Sequence, residues 1–424
     1  MLKDAQDLDV TTDAPQTIAA IDAFTEQALC YGKSVESALL QGIAADPTCA
    51  IVQAYAAAYY LSQESHAGRQ QAIPYLKAAQ QFIDRASERE QLYIHAIAAW
   101  AKGAINQAVD LHETIAQKFP RDLISVQQGQ YHYFYRGDKT GLLRIAQRVL
   151  PANRENPYLH GMIAFGLEQC HQLEAAERWG RQATEMQRQN PWAHHAVAHV
   201  LETQGRVGEG IAWMESLADT WESCNSMLYT HNWWHVALYY LAEQDAQTVL
   251  KLYDQKVWGR ARQDSPKDQV GAIALLLRLE LQGIEVGESR WRSLAMHLLP
   301  RLHEHALPFQ DLHYLYALAR SGRLSWVKEM LQSMKAHIQT LDSDMQLPWL
   351  NVALPAAQGM IAHAKGHWQE AIVHLQPVLS QLWTVGGSHA QRKLFEQVYR
   401  DALLHQEQSQ PRKLAFYQKA AIAR

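Results

Sequence analysis

The sequence predicts an all-α protein of stacked helix–turn–helix repeats, and three observations predict it. A glycine followed five positions later by a small or β-branched residue recurs: Gly103–Ala108, Gly205–Gly210, Gly322–Val327 and Gly366–Ala371. Asp46-Pro47, Asn156-Pro157 and Asn190-Pro191 each set an N-capping side chain before a proline suited to the first helical position. No segment shows sustained period-two alternation with hairpin turns, so strands are not expected.

The elements follow in order. Residues 1–15 are acidic and polar and read as a flexible N-terminus without a secretory apolar core. From 16 to 405 the chain reads as one irregular repeat array, with roughly eighteen to twenty helices on capping and periodicity. The glycine turns the chain between two antiparallel helices, and the residue five later is small because the helices approach closest there; this is the tetratricopeptide pattern, which predicts a right-handed superhelix. Pro120, twelve positions after Ala108, ends one unit and opens the next. Tyr158, Met162 and Phe165 give the following helix its apolar stripe. HQLEAAERW after Cys170 and AEQDAQTVL after Leu241 lack the glycine and keep only the rhythm. The polar segment 257–269, with Pro266, is the best candidate for a break between an N-terminal and a C-terminal half, and reads first as a surface loop within one array. Ser388 in GGSHAQR is expected to cap a last helix, ahead of a mildly basic tail at 406–424 (Arg412, Lys413, Lys419, Arg424).

Bulk composition narrows the function classes. At 48% hydrophobic and 19% charged residues, the 424-residue chain has material for a core and no signature of disorder. A net charge of -4 gives no reason to expect nucleic acid. No apolar run approaches the ~18 residues of a membrane span, so a cytoplasmic location is expected. Cys30, Cys49, Cys170 and Cys224 form no CxxC pair and read as reduced thiols. The 21 histidines and 13 tryptophans are unusual, and both types gather in the central third.

NPYLHGMIAFGLEQC, NPWAHHAVAHVLETQGRVGEGIAWM, HNWWHVALYYLAEQDAQTVLKLYD, LLLRLELQGI, DLHYLYALARSGR and GGSHAQRKLF, in that order, resemble the tetratricopeptide repeat protein 38 family. The resemblance runs from DPTCAIVQAYAAAYYL to GGSHAQR. It implies a tetratricopeptide superhelix and brings no settled reaction or ligand. Two positions depart from the family pattern: Gly271 stands where an aspartate is expected before LLLRLEL, and Lys393 where an acid continues the last motif. If either acid matters in relatives, this member has a changed activity.

The chemistry-bearing residues lie on three successive first helices. His160, Ala164 and Glu168 follow at four-residue steps; His195, His199 and Glu202 share a stripe; His231 and His235 are four apart. Such spacings put side chains on one helix face. Neighbouring axes ~8–10 Å apart let imidazoles converge across the gap. His195, His199, His231 and His235 are therefore the candidate ligands of a divalent zinc, iron or manganese ion. His199, His235 and Glu202 are the candidate acid–base groups. His160, Glu168, His195, His231, Asn232, Trp192, Trp234 and His313 are the expected lining of a concave pocket for a small molecule or short peptide. Tyr229 and Asn232 read alternatively as caps of a helix starting near Ser226, and Asp311 as a cap beside His313. Two functions stay open: ligand binding, and hydrolysis or elimination on a small substrate. The assembly state is left open between monomer and homodimer.

Overall fold

The computed structural model describes the backbone of residues 1–422 and the side chains of 1–342 and 345–408. The side chains of the basic tail (Arg412, Lys413, Lys419, Arg424) thus lie outside the described residues. The protein is all-α, its helices packing as tetratricopeptide-like hairpins. Twenty-two α-helices occur among the described residues, a few more than expected. The excess comes from short pieces such as Ser343–Pro348, which a π-helical turn at Trp349–Ala353 separates from Leu354–Ala364.

The chain divides into two compact units, Met1–Asp268 and Gln269–Arg424. The division falls in the first turn of the Pro266–Leu281 helix, at the edge of the polar segment 257–269. In the first unit the helices Pro157–Gln169, Pro191–Thr203 and Ser226–Ala242 lie side by side, each followed by the partner helix of its hairpin. Their inward faces are almost wholly buried, which explains why their sequences are apolar nearly all round.

Turns without glycine have a physical solution. Gly205 takes φ +69°, the left-handed conformation such a turn needs; in the glycine-free repeats His171 (φ 61°) and Gln244 (φ 62°) adopt it instead. Asn156 and Asn190 cap their helices as expected, and Ser388 forms a reciprocal cap with Gln391.

Four expectations need correction. Asp46-Pro47 opens no helix: Asp46 ends Val35–Ala45 and its carboxylate takes the Thr48 N–H, so the next helix, Ala50–Leu61, starts after a local turn. Strands do occur, as an antiparallel pair Leu2–Lys3 and Asp9–Val10. It lies in the stretch read as a flexible N-terminus, where Val10 is buried and Glu90 accepts from the Thr11 N–H and hydroxyl. Asn225, and neither Tyr229 nor Asn232, caps the helix at Ser226. Asp311 caps nothing, because its carboxylate is engaged by His305.

Candidate metal centre

The two helices that supply the candidate ligands, and the helix that supplies Glu168, begin at asparagine caps: Asn190, Asn225 and Asn156. Asn190 also donates its side-chain N–H to Pro157 O (2.9 Å), which ties the start of one helix to the start of its neighbour. With the starts fixed, the four-residue spacing brings His195 and His199 over His231 and His235.

One ring nitrogen from each of these four histidines lies within 4.8 Å of the others. His195 Nε2 is 3.0 Å from His199 Nε2 and 3.1 Å from His231 Nε2. His235 packs against the other three rings with centroid separations of 5.0, 4.6 and 4.9 Å. His195, His199 and His235 are buried, and His231 is half-buried. The far edges of two rings meet carboxylates. His199 Nδ1 stands 3.5 Å from Glu168 Oε1, and His235 Nδ1 stands 3.2 Å from Glu202 Oε2. Glu168 is itself held by the Gln169 side-chain amide. An Nδ1–H given to a carboxylate leaves Nε2 as a lone pair on the opposite edge of the ring, aimed at the cluster.

The electrostatics favour neutral rings that present lone pairs. Burial, followed by the neighbouring His199, His231 and His235, pushes His195 well below its ordinary pKa. Burial and then His199 bring His231 down to about 3, against the pull of Glu202. His199 differs: burial lowers it, but adjacent Glu168, with help from Glu202, raises it on balance.

The donor set fits a divalent cation. A tetrahedral ion at ~2.0–2.1 Å places its nitrogen donors about 3.4 Å apart, so the widest separation must close by about 1.4 Å. Two of the contacts are already shorter than that edge. The single lone pair of His195 Nε2 cannot satisfy two facing nitrogens at once, whereas a cation among them satisfies all. The two carboxylates beside the cluster also carry negative charge that a divalent ion balances. Among the described residues no hydrogen-bond partner reaches His195 Nδ1, so its proton would be buried at a cost of about 1–3 kcal/mol.

The other predicted site residues separate into two groups. Trp192 stacks on His195 at 4.7 Å, and Trp234 stacks on His231 at 5.3 Å. Buried Asn232 donates to Pro191 O (3.4 Å). His160 is not in the cluster; its Nε2 pairs with Arg154 O and its ring packs on Trp179. His313 belongs to the second unit, buried with Nδ1 on Phe309 O. A Cβ at Gly271 would meet nothing within 4 Å, and Lys393 is exposed, so packing explains neither departure.

Sequence reasoning missed Tyr31. Its ring stacks on the outer face of Trp192 at 5.0 Å, making a Tyr31–Trp192–His195 stack. Its loop is fastened to the segment that leads into the 226–242 helix: Asn225 N–H donates to Tyr31 O (2.7 Å) and Lys33 N–H to Ser223 O (3.1 Å). No local signal announces a partner about 160 residues away.

No family model matches the chain. Among solved structures it is similar to a human IFIT1 dimer with m7Gppp-AAAA, at 13% identity over 98% of each chain and a TM-score of 0.45. A Rap protein complexed with competence and sporulation factor aligns at 11% identity over 77% of this chain and 98% of that one, also with a TM-score of 0.45. The APC/C hetero-tetramer Cut9-Hcn1 aligns at 11% identity over 89% of this chain and 69% of that one, with a TM-score of 0.42.

Proposed function

We propose that the protein is a metal-binding helical-repeat protein whose centre is His195, His199, His231 and His235. The observation that carries this reading is the convergence of four imidazole nitrogens within 4.8 Å, two of the rings backed by carboxylates. An all-imidazole set suits zinc or iron(II) above manganese, which favours oxygen donors. The ligand is a small molecule approaching beside His231, the half-buried member of the set, next to Trp234. A short peptide fits less well, because Tyr31 and Trp192 cover the His195 side.

One observation favours hydrolysis as the second reading. The Glu202 side chain keeps 26% of its surface exposed, so it can exchange a proton with solvent next to the centre, whereas Glu168 at 1% cannot. A bound divalent ion would supply Lewis acidity there.

The deciding experiment is elemental analysis of the full-length protein, with zinc titration after chelator treatment. About one equivalent of zinc or iron per chain is expected, and it should be lost in the His199→Ala/His235→Ala double variant. Trace metal in the native chain, or equal metal in the double variant, would rule the centre out.

A further inference from the structure

The second unit holds a separate set of titratable side chains. His305 Nε2 lies 2.8 Å from Ser333 Oγ, and His305 Nδ1 lies 2.6 Å from Asp311 Oδ2. His305 and Asp311 are buried and Ser333 is half-buried. On the far side of the hydroxyl, His303 Nδ1 is 2.9 Å from Ser333 Oγ, and His303 Nε2 is 2.9 Å from Glu329. Ser333 and Glu329 share one face of the Leu324–Ile338 helix, and Asp311 sits in the first turn of Pro308–Arg320. The histidines come from the connector that precedes Pro308, where His305 takes φ 46°. His337 stacks on the His305 ring at 5.3 Å, and Trp349 stands edge-on to it, which fixes the ring plane.

Proton bookkeeping gives these groups distinct roles. A carboxylate only accepts, so His305 Nδ1 and His303 Nε2 carry hydrogens, and the two remaining lone pairs face one hydroxyl. Ser333 has a single proton to give. A further proton on His303 completes the chain: His303 Nδ1–H donates to Oγ while Oγ–H donates to His305 Nε2. That arrangement is a nucleophile, a base fixed in its tautomer by a carboxylate, and a hydrogen-bond donor beside the attacking oxygen.

We propose that Ser333 is a nucleophile activated by His305, with Asp311 as positioning residue, that takes the acyl group of small, activated carboxylic esters. Ser333 Oγ bonds to the acyl carbon, His305 Nε2 takes the hydroxyl proton, and the ester C–O bond breaks as that proton passes to the departing alcohol. Water then attacks the acyl carbon and gives a proton to His305 Nε2. The Oγ–C bond breaks, the proton returns to Ser333, and the carboxylic acid leaves. The Ser333 N–H is spent inside its helix, and both His303 ring nitrogens are already engaged, by Oγ and by Glu329, so the oxyanion gains little dedicated stabilisation. This is why esters with good leaving groups are the expected class.

The test uses the full-length protein and an alkyl fluorophosphonate, which forms an Oγ–P bond and releases fluoride. Mass mapping should find a single adduct on Ser333, absent in Ser333→Ala and formed at least tenfold more slowly in Asp311→Asn with an unchanged melting midpoint. His305→Gly suits the left-handed backbone and leaves room for a small base, so its labelling should recover when free imidazole is added. 4-Nitrophenyl acetate turnover should follow the same order. No adduct on Ser333 in the native chain, or labelling as fast in Asp311→Asn, overturns the proposal; a failure of imidazole to restore His305→Gly does so as well.

Discussion

His112 shows what burial does to a single side chain. Its Nδ1 pairs with Ser125 Oγ at 2.8 Å, and burial pushes its pKa down to about 3. In the unfolded chain the same ring titrates near ~6.5. Below that pH the unfolded state takes up a proton that the folded state refuses, so stability falls as pH drops from ~6.5 towards 3. The slope is at most about 1.4 kcal/mol per pH unit from this one group. Urea midpoints at pH 7 and pH 5 should therefore differ less in His112→Asn than in the native chain; equal differences would mean that His112 is not held neutral. Gly210 is a steric counterpart. A Cβ there would lie 2.2 Å from Tyr239 Cζ, and the Tyr239 hydroxyl donates to Ala198 O at 2.6 Å. Gly210→Ala should cost about 1–3 kcal/mol by overpacking, measured by urea unfolding. The sequence flagged this position through its five-residue spacing from Gly205, but the tyrosine that makes it tight could not be read from the pattern.

At the scale of elements, asparagine does more than cap. Asn153 donates to Pro120 O (2.7 Å) and Asn190 to Pro157 O (2.9 Å), each reaching back 33 residues to the previous repeat. Asn190→Ala loses both the cap and the tie, and should cost about 1–2 kcal/mol. It should also lower metal affinity, because the 191–203 helix carries two of the four rings; isothermal titration with zinc against the native chain checks this. The Asn-Pro steps were legible because capping is local. Asp46-Pro47 looked the same and behaved otherwise, since a local turn captured its carboxylate. The stacking of the three first helices was legible from the repeat rhythm, and the four-histidine set followed from it. The Glu168–His199 and Glu202–His235 pairs were legible only as shared helix faces, because their partners depend on rotamer and helix rotation. His160 illustrates the limit: the spacing aligned it with Glu168, yet a carbonyl six residues earlier holds its ring away.

Over the whole molecule, a bound ion should act on the first unit as a stabilising ligand. At a hundred times Kd it would add about 2.7 kcal/mol. Calorimetry of the full chain should show a transition that rises with zinc and falls with chelator, while a second transition stays fixed; no shift on either treatment would contradict the centre. No helix among the described residues is long and apolar enough to cross a membrane, as the sequence suggested. The His305–Asp311–Ser333 set was invisible beforehand, because its members come from two helices and a connector and share no motif spacing. The fastening of Tyr31 and Lys33 to residues 223–225 has a consequence for how this chain can change. Repeat arrays ordinarily lengthen or shorten by whole modules, since each touches only its neighbours. In the first unit the turn of the first hairpin is latched to the segment that leads into the seventh, so duplicating one module between them would tear the latch and uncover Trp192. The number of modules between residues 35 and 222 is fixed by that closure, and variation is confined to regions outside it.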